Sequence, residues 1–319
     1  METTTIYACQ EYVLRRIVLD VPITGFRDFI TPWLISETGG RNILVDPGPS
    51  CGIASLTQAL RRSGVSHLDL VLVTHIHIDH AGGTGLLLDA FPEAQVVVHP
   101  KGVPHLINPA RLWASTVETL GDSLARSYGE ISPVQESRIL NDHPAPVGLE
   151  IVETLGHSPH HQSYIYTSPG GNIAFVGEAA GIHLGDEYLR PATPPRFFYE
   201  TTTGSIETLR ERLRDARLML YGHYGHSGAP IKMLDAALDQ MRLWKTVALD
   251  LVHEDPLAQV DESVRRAVTR LMKSDALLAG LPGFPPDVLE RELYFLRNSA
   301  RGFVLALVKP SAQLRRQLP

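Results

Sequence analysis

The residues best suited to chemistry lie together, directly after the apolar run Leu68–Val73. They are His75, His77, Asp79 and His80, in the pattern His-x-His-x-Asp-His. Residues two apart on an extended chain point the same way, so the first two histidines can bind one ion together while Asp79 and His80 face a second position. Zinc-binding histidines on a helix are instead four apart. The pattern therefore predicts a metal site on a loop.

The residue content of the chain makes this motif informative. With 14 histidines among 319 residues, a chance occurrence has odds of roughly one in a thousand. The two cysteines, Cys9 and Cys51, have no partner at metal-binding or redox spacing. Any metal is therefore expected to be bound by histidines and carboxylates.

The motif and the residues after it resemble the metallo-β-lactamase superfamily, in particular its lactonase and glyoxalase II-like hydrolases. The hallmark of that superfamily is the same loop, then a Gly-His pair, a bridging Asp and a final His. Here the Gly-His pair ends at His157, in a turn similar to that of lactonase-like members. The bridging position, after the strand pattern Ile173–Gly177, is Glu178, and the last histidine is His223. The resemblance covers roughly residues 12–230.

The resemblance implies a site for two divalent ions, expected to be zinc, with iron or manganese as alternatives. Glu178 would bridge the ions, although the superfamily usually has Asp there; the longer Glu could also bind one ion only or change which metal is preferred. Asp46, at the end of an early hairpin, would support the metal loop or only stabilise its turn. One ion would be held by His75, His77 and His157, and the other by Asp79, His80 and His223.

The chemistry expected of such a site is hydrolysis by a metal-bound hydroxide, because metal binding can lower the pKa of water to about 7. Asp79 is the candidate catalytic residue that passes a proton to the leaving group. The predicted function is a metallo-hydrolase acting on an ester, thioester or lactone bond of a small molecule.

Other functions stay open at this stage. A persulfide dioxygenase-like oxidoreductase would use one iron, held by His75, His157 and Glu178. Phosphodiester or phosphotriester hydrolysis is a further alternative, and so is a binding or scaffold protein that keeps the fold with weak turnover.

Histidines close to the predicted ligands are candidates for substrate binding. His160 and His161 follow His157 closely enough to line a pocket or to orient a ligand, and His183 lies five residues after Glu178. His226 competes with His223 for the last ligand position. His223 is favoured because it directly follows the strand pattern Leu218–Gly222.

The segment Leu184–Thr203 is too long and irregular for a simple connection, and such loops are often functional. Phe197 and Phe198 within it are candidates for the wall of an apolar substrate pocket. Packing of this segment against the C-terminal helices is the alternative.

The elements that must position these residues follow an α/β pattern. Short strand patterns, several in consecutive hairpins, alternate with helix patterns, including one over Ala110–Tyr128 and one over Ile206–Ala216. With the resemblance, they predict an αββα sandwich of two mixed β-sheets flanked by helices. The predicted strands are Tyr12–Leu19, Trp33–Glu37, Asn42–Asp46, Leu68–Thr74, Gln95–His99, Glu150–Leu155, Ser163–Thr167, Ile173–Gly177 and Leu218–Gly222.

The last part of the chain has only helix patterns, which predicts an all-α C-terminal extension. We expect a catalytic domain over 1–230 and a helical cap or dimerisation region over 231–319. The apolar residues of Met233–Leu251 exceed what a free helix would expose, so a homodimer through the C-terminal helices is a further expectation.

Charge and sequence pattern limit the kinds of partner that we expect for this chain. The net charge of −6 and pI near 6.2 provide no basic surface for a nucleic acid. The N-terminus lacks the pattern of a secretion signal, and no apolar run has membrane-spanning length, so we expect a cytoplasmic protein with a small-molecule substrate and no membrane contact.

Overall fold

The structure is a computed structural model that describes residues 2–140, 145–185, 188–255 and 258–308. Its first sheet has six strands in the order β1-β2-β3-β4-β5-β6. The first four run antiparallel, and the last two continue in parallel. These strands are β1 (Glu2–Ala8), β2 (Tyr12–Val18), β3 (Trp33–Glu37), β4 (Asn42–Val45), β5 (Leu70–Leu72) and β6 (Gln95–Val97).

The second sheet has five strands in the order β13-β12-β9-β8-β7, and only the β12–β9 pair is parallel. A separate two-stranded hairpin, β10 (Ile182–His183) with β11 (Leu189–Arg190), lies between β9 and β12 in the sequence. The five strands are β7 (Leu149–Glu153), β8 (Gln162–Tyr166), β9 (Asn172–Gly177), β12 (Ala216–Tyr221) and β13 (His226–Ser227).

The two sheets face each other across a core to which both contribute aromatic side chains. Trp33 of β3 donates a hydrogen bond from Nε1 to the carbonyl of Tyr221 in β12, at 2.8 Å. The hydroxyl of Tyr164 in β8 donates to the carbonyl of Val97 in β6, also at 2.8 Å. These bonds satisfy the polar tips of buried aromatic residues and fix the two sheets relative to each other.

Helices cover the outer faces of both sheets. Six follow the strands of the first sheet, and the apolar residues of several of them share one core with that sheet. Helix α7 and the three C-terminal helices share a second core with the other sheet. The predicted αββα sandwich with an all-α extension is therefore confirmed. The helices are α1 (Ile53–Arg62), α2 (Ile78–Ala81), α3 (Thr84–Ala90), α4 (Val103–Ile107), α5 (Ala110–Leu120), α6 (Asp122–Tyr128), α7 (Tyr199–Arg212), α8 (Pro230–Glu254), α9 (Val260–Ser274) and α10 (Pro286–Val308).

The structure corrects several predicted bounds. The helix predicted over Ala110–Tyr128 is interrupted at Gly121, whose φ of +83° is incompatible with a continuous helix. The helix predicted to begin at Ile206 begins seven residues earlier at Tyr199, and Ala216, predicted as its end, already belongs to β12. The exposed N-terminal strand β1 was not predicted, because its mostly polar residues lack a buried face.

The C-terminal helices are joined to the second sheet by a common core. Leu234, Leu238 and Met241, on the apolar face of α8, are buried within the same chain. Trp244 is 1% exposed and donates from Nε1 to Asp275 Oδ2 at 2.7 Å. The apolar face of α8 is therefore covered within the same chain, so it is no longer an argument for a dimer. The homodimer and the domain boundary near residue 230 stay predictions. None of the helices, over the residues described, has both the length and the apolarity to cross a membrane.

Replacing Trp244 with Ala is expected to lower the free energy of unfolding by about 3–5 kcal/mol, because it leaves a cavity in the shared core and removes one of the hydrogen bonds that the Asp275 carboxylate accepts. Urea denaturation followed by circular dichroism measures this loss. Met272→Ala, at a side chain 45% exposed, is the control and should change stability by less than about 0.5 kcal/mol. Equal effects of the two substitutions would contradict a shared core.

Candidate metal centre

The loop after β5 carries the predicted motif. His75 and His77 lie on the extended segment, and the short helix α2 begins directly afterwards and presents Asp79 and His80. The change from extended chain to helix explains why these four side chains, although close in sequence, point to two neighbouring positions.

A first group of ligand atoms forms where this loop meets the turn after β7. His75, His77, His157 and Glu178 each offer one atom, and these atoms all lie within 4.8 Å of one another. Glu178 Oε2 is 2.8 Å from His157 Nε2 and 3.3 Å from His75 Nε2. His77 Nδ1 lies 2.9 Å from His157 Nε2. Three imidazoles and a carboxylate thus converge on one point.

A second group lies beside the first. Its ligand atoms come from Asp79, His80 and His223 and are also within 4.8 Å of one another. Glu178 connects the groups: its Oε1 is 3.6 Å from His223 Nε2, and its Oε2 is 3.6 Å from His80 Nε2. The Glu that replaces the usual Asp is therefore long enough to face both groups.

Two buried nitrogen atoms test whether this site suits a metal. The Nε2 atoms of His75 and His80 have no hydrogen-bond partner in the described part of the chain. Such atoms are rare in folded proteins and call for an explanation. Each faces the Glu178 carboxylate, and imidazole nitrogens with carboxylate oxygens are the usual ligands of zinc and similar divalent ions. The residues fit a bound divalent ion.

Asp46 orients the second group from below the loop. Its carboxylate accepts hydrogen bonds from the Thr74 backbone at 2.8 Å, from the Thr74 hydroxyl at 2.7 Å and from His80 Nδ1 at 3.0 Å. With the Nδ1 proton donated to Asp46, the Nε2 lone pair of His80 is directed toward the site. Asp46 therefore supports the metal loop, beyond a role in its own turn.

Backbone carbonyls orient two other histidines in the same way. His157 Nδ1 donates to Ala192 at 2.6 Å, and His223 Nδ1 donates to Phe29 at 3.2 Å. The Phe29 ring also stacks on His223, with the ring centroids 3.9 Å apart. In each case Nε2 is the nitrogen that faces the ligand groups.

Burial keeps several of these imidazoles neutral, which is the form that binds metals. Burial, and then repulsion from neighbouring histidines, lowers the pKa of His75 well below its usual range. Burial is also the first cause of the lowered pKa of His223, at about 3. Burial alone would raise the pKa of Glu178, but the charge of His157 and its hydrogen bond to this carboxylate hold the pKa well below its usual value. The carboxylate is therefore ionised.

Both groups open into a cavity of about 330 Å³. Its floor includes His77, Asp79, His157, Glu178 and His223. Its walls come from α5, α6, the segment 192–195 and α10, and most of the residues there are apolar or carry hydroxyl groups. Wall residues include Leu112, Thr116, Tyr128, Ile182, Arg190, Pro194, Phe295 and Asn298.

The structure separates the histidines predicted to bind substrate. His160 lines the cavity. His161 does not: it is fully buried, its Nδ1 is 2.8 Å from the Thr154 hydroxyl, and its Nε2 accepts from the Glu178 backbone at 3.1 Å. His183 is also absent from the cavity wall, because it is buried with Nδ1 bonded to the Tyr188 carbonyl.

Phe197 and Phe198 are likewise not part of the described cavity wall. Phe197 is buried against Phe303 of α10, with ring centroids 4.9 Å apart, and Phe198 is 43% exposed just before α7. For Phe197 the structure therefore matches the alternative prediction, in which the segment packs against the C-terminal helices. The segment reaches the cavity instead through Arg190 and through four small or proline residues, which are Ala192, Thr193, Pro194 and Pro195.

Of the two candidates for the last ligand position, His223 lies with Asp79 and His80 in the second group. His226 lies in β13, where its ring contacts Trp33 edge to face at 6.2 Å, and it belongs to neither ligand group. Residues of α5, α6 and α10 that line the cavity were not predicted individually, since no motif marks them.

Comparison with known proteins agrees with this geometry. The family model of the metallo-β-lactamase superfamily matches residues 25–223. The chain belongs to the metallo-β-lactamase superfamily. The predicted family is thereby confirmed, and together with the His, Asp and Glu groups it indicates divalent metal binding.

Relatives within the superfamily include hydrolases. A probable metallo-hydrolase of Methanocaldococcus jannaschii is 34% identical over 128 residues, 40% of this chain but only 59% of that protein's length. A hydroxyacylglutathione hydrolase of Cupriavidus metallidurans is 26% identical over 79% of this chain and 85% of its own. A superfamily structure from Sulfolobus tokodaii matches 93% of this chain and 99% of its own, with a TM-score of 0.63 and 20% identity, and supports the fold.

Replacing Asp46 with Asn is expected to weaken metal binding by about 10–100-fold, because the amide cannot accept all the hydrogen bonds that direct His80. Competition with a chromogenic chelator measures the affinity. Asp69→Asn is the matched control: Asp69 also accepts a hydrogen bond from a backbone N–H, that of Asn42, but it lies outside both ligand groups. Equal affinities in the two variants would refute this role of Asp46.

Proposed function

We propose that this chain is a hydrolase that holds two divalent ions, expected to be zinc, and cleaves an ester, thioester or lactone bond of a small molecule. The observation that supports this most directly is the pair of ligand groups joined by Glu178 at the floor of a cavity. The name of the hydroxyacylglutathione hydrolase relative favours a thioester among these bonds.

Bound divalent ions would supply a hydroxide at neutral pH and a Lewis acid for the substrate carbonyl. The groups that would hold them are His75, His77 and His157 on one side and Asp79, His80 and His223 on the other, with Glu178 between them.

The chain's own residues perform the remaining tasks. In thioester hydrolysis the C–O bond of the new acid forms, the C–S bond breaks, and the departing thiolate takes up a proton. We assign to Asp79 the transfer of that proton from the attacking water, and the exposure of its side chain to the cavity, at 20%, supports this role. The apolar walls exclude water from the rest of the substrate.

The persulfide dioxygenase-like alternative needs only His75, His157 and Glu178. The second group argues against it, because Asp79, His80 and His223 would then be buried together without a ligand. Phosphodiester and phosphotriester substrates remain candidates that the same site could serve.

Metal analysis of protein purified without added metal is expected to find two zinc ions per chain. His223→Ala should reduce this to about one, because it removes one of the three donors of the second group. His226→Ala, which removes a neighbouring histidine outside both groups, is the matched control and should keep two. One iron per chain, with oxygen uptake on glutathione persulfide, would instead establish the oxidoreductase.

A panel of thioesters, lactones and phosphoesters tests the bond that is cleaved. We expect hydrolysis of at least one thioester or lactone, loss of that activity on dialysis against a chelator, and recovery on adding zinc, because Glu178 and the imidazoles provide the metal site. Release of thiol or acid is followed spectrophotometrically. Turnover that persists without metal, or turnover of phosphoesters alone, would refute the proposal.

A further inference from the structure

Arg190, at the end of β11, is a charged residue in the cavity wall that the proposed chemistry does not use. Its side chain is 2% exposed. Nε donates to Glu292 Oε2 of α10 at 2.7 Å, whereas Nη2 is buried and has no hydrogen-bond partner among the described residues. An unused buried donor is unfavourable unless a ligand satisfies it.

The charges around Arg190 do not balance. Glu292 is fully buried and accepts from Arg190, from Arg291 Nε at 2.9 Å and from the Tyr188 hydroxyl at 2.7 Å. Two guanidinium groups, which stay protonated in proteins, thus share one carboxylate. Arg291 directs Nη1 to the Gly25 carbonyl, away from this carboxylate. One positive charge is therefore left without a carboxylate partner. Arg190 is the residue of the pair that also has an unused donor.

The carboxylates that line the cavity among the described residues, Asp79 and Glu178, belong to the ligand groups. Asp79 and Glu178 would be balanced by the divalent ions that those groups fit. Burial lowers the pKa of Arg190, but Glu292 and Tyr188 and, to a smaller extent, Glu178 raise it above its ordinary value. Arg190 and Glu178 line the same cavity. A substrate held at the ligand groups can thus reach Arg190.

We propose that Arg190 binds a carboxylate of the substrate, and that the bond cleaved lies a few bonds from that carboxylate. The planar guanidinium matches a carboxylate in shape and charge. Leu112, Ile182 and Phe295 in the same cavity would contact the carbon chain between the two ends. The substrate class is an acidic acyl ester or thioester. This inference rests on the proposed hydrolase function.

The test compares a glutaryl thioester with an uncharged hexanoyl thioester of the same thiol. We expect the wild-type protein to have the higher kcat/KM for the glutaryl compound. In Arg190→Gln the ratio of the two kcat/KM values should fall by about 10–100-fold, because one charge-assisted interaction is lost. Arg190→Lys, which keeps the charge, should retain part of the ratio.

Arg291→Gln is the matched control for a purely structural role. It removes the other guanidinium on Glu292, but Arg291 is not part of the described cavity wall. Arg291→Gln should change kcat/KM for both thioesters by the same factor and so keep the wild-type ratio. Equal ratios in Arg190→Gln and wild type, or no preference for the glutaryl thioester in the wild-type protein, would overturn the proposal.

Calorimetric binding of glutarate and hexanoate to the metal-loaded protein separates this inference from the proposed function. Tighter binding of glutarate that depends on Arg190 supports the inference even if no thioester is cleaved, in which case only the hydrolase proposal fails. Hydrolysis of both thioesters with no dependence on Arg190 supports the hydrolase and overturns the inference.

Discussion

The carboxylate of Glu178 is the contact on which the site depends. It lies within 3.6 Å of imidazole nitrogens from the metal loop, from the turn after β7 and from the end of β12. Its backbone N–H is bonded to His161. The residue before it is Gly177, with φ of +53°, where an added Cβ would lie 2.6 Å from His161 Nε2. The backbone is therefore shaped to bring this one carboxylate between both ligand groups.

The metal loop could be predicted from sequence because its chemistry is local. His75, His77, Asp79 and His80 lie within six residues, and the conformations of strand and short helix determine where each points. His157, Glu178 and His223 were located by resemblance to a family, since nothing in their own spacing reveals that three separate strand ends converge. The structure brings all seven together.

The cavity wall could not be predicted, because it depends on packing between distant segments. His160 and His161 are adjacent in sequence, yet one faces the cavity and the other supports Glu178. Phe197 has the apolar character of a pocket residue but packs against α10. Phe295 and Leu296 of α10 are adjacent apolar residues, yet the first lines the cavity and the second is buried in the core of the second sheet. Sequence pattern indicates that a side chain is apolar, but only the tertiary structure shows which cavity or core it enters.

The C-terminal helices link stability to recognition. Leu296 and Val304 of α10 are buried in the core of the second sheet, whereas Phe295 and Asn298 of the same helix line the cavity. Glu292 of the same helix accepts a hydrogen bond from Arg190 in the cavity wall, and this bond fixes the wall to α10. A rotation of α10 that repacked its core face would also move the cavity wall. The packing of α10 against the second sheet therefore both stabilises the fold and shapes the cavity above the ligand groups.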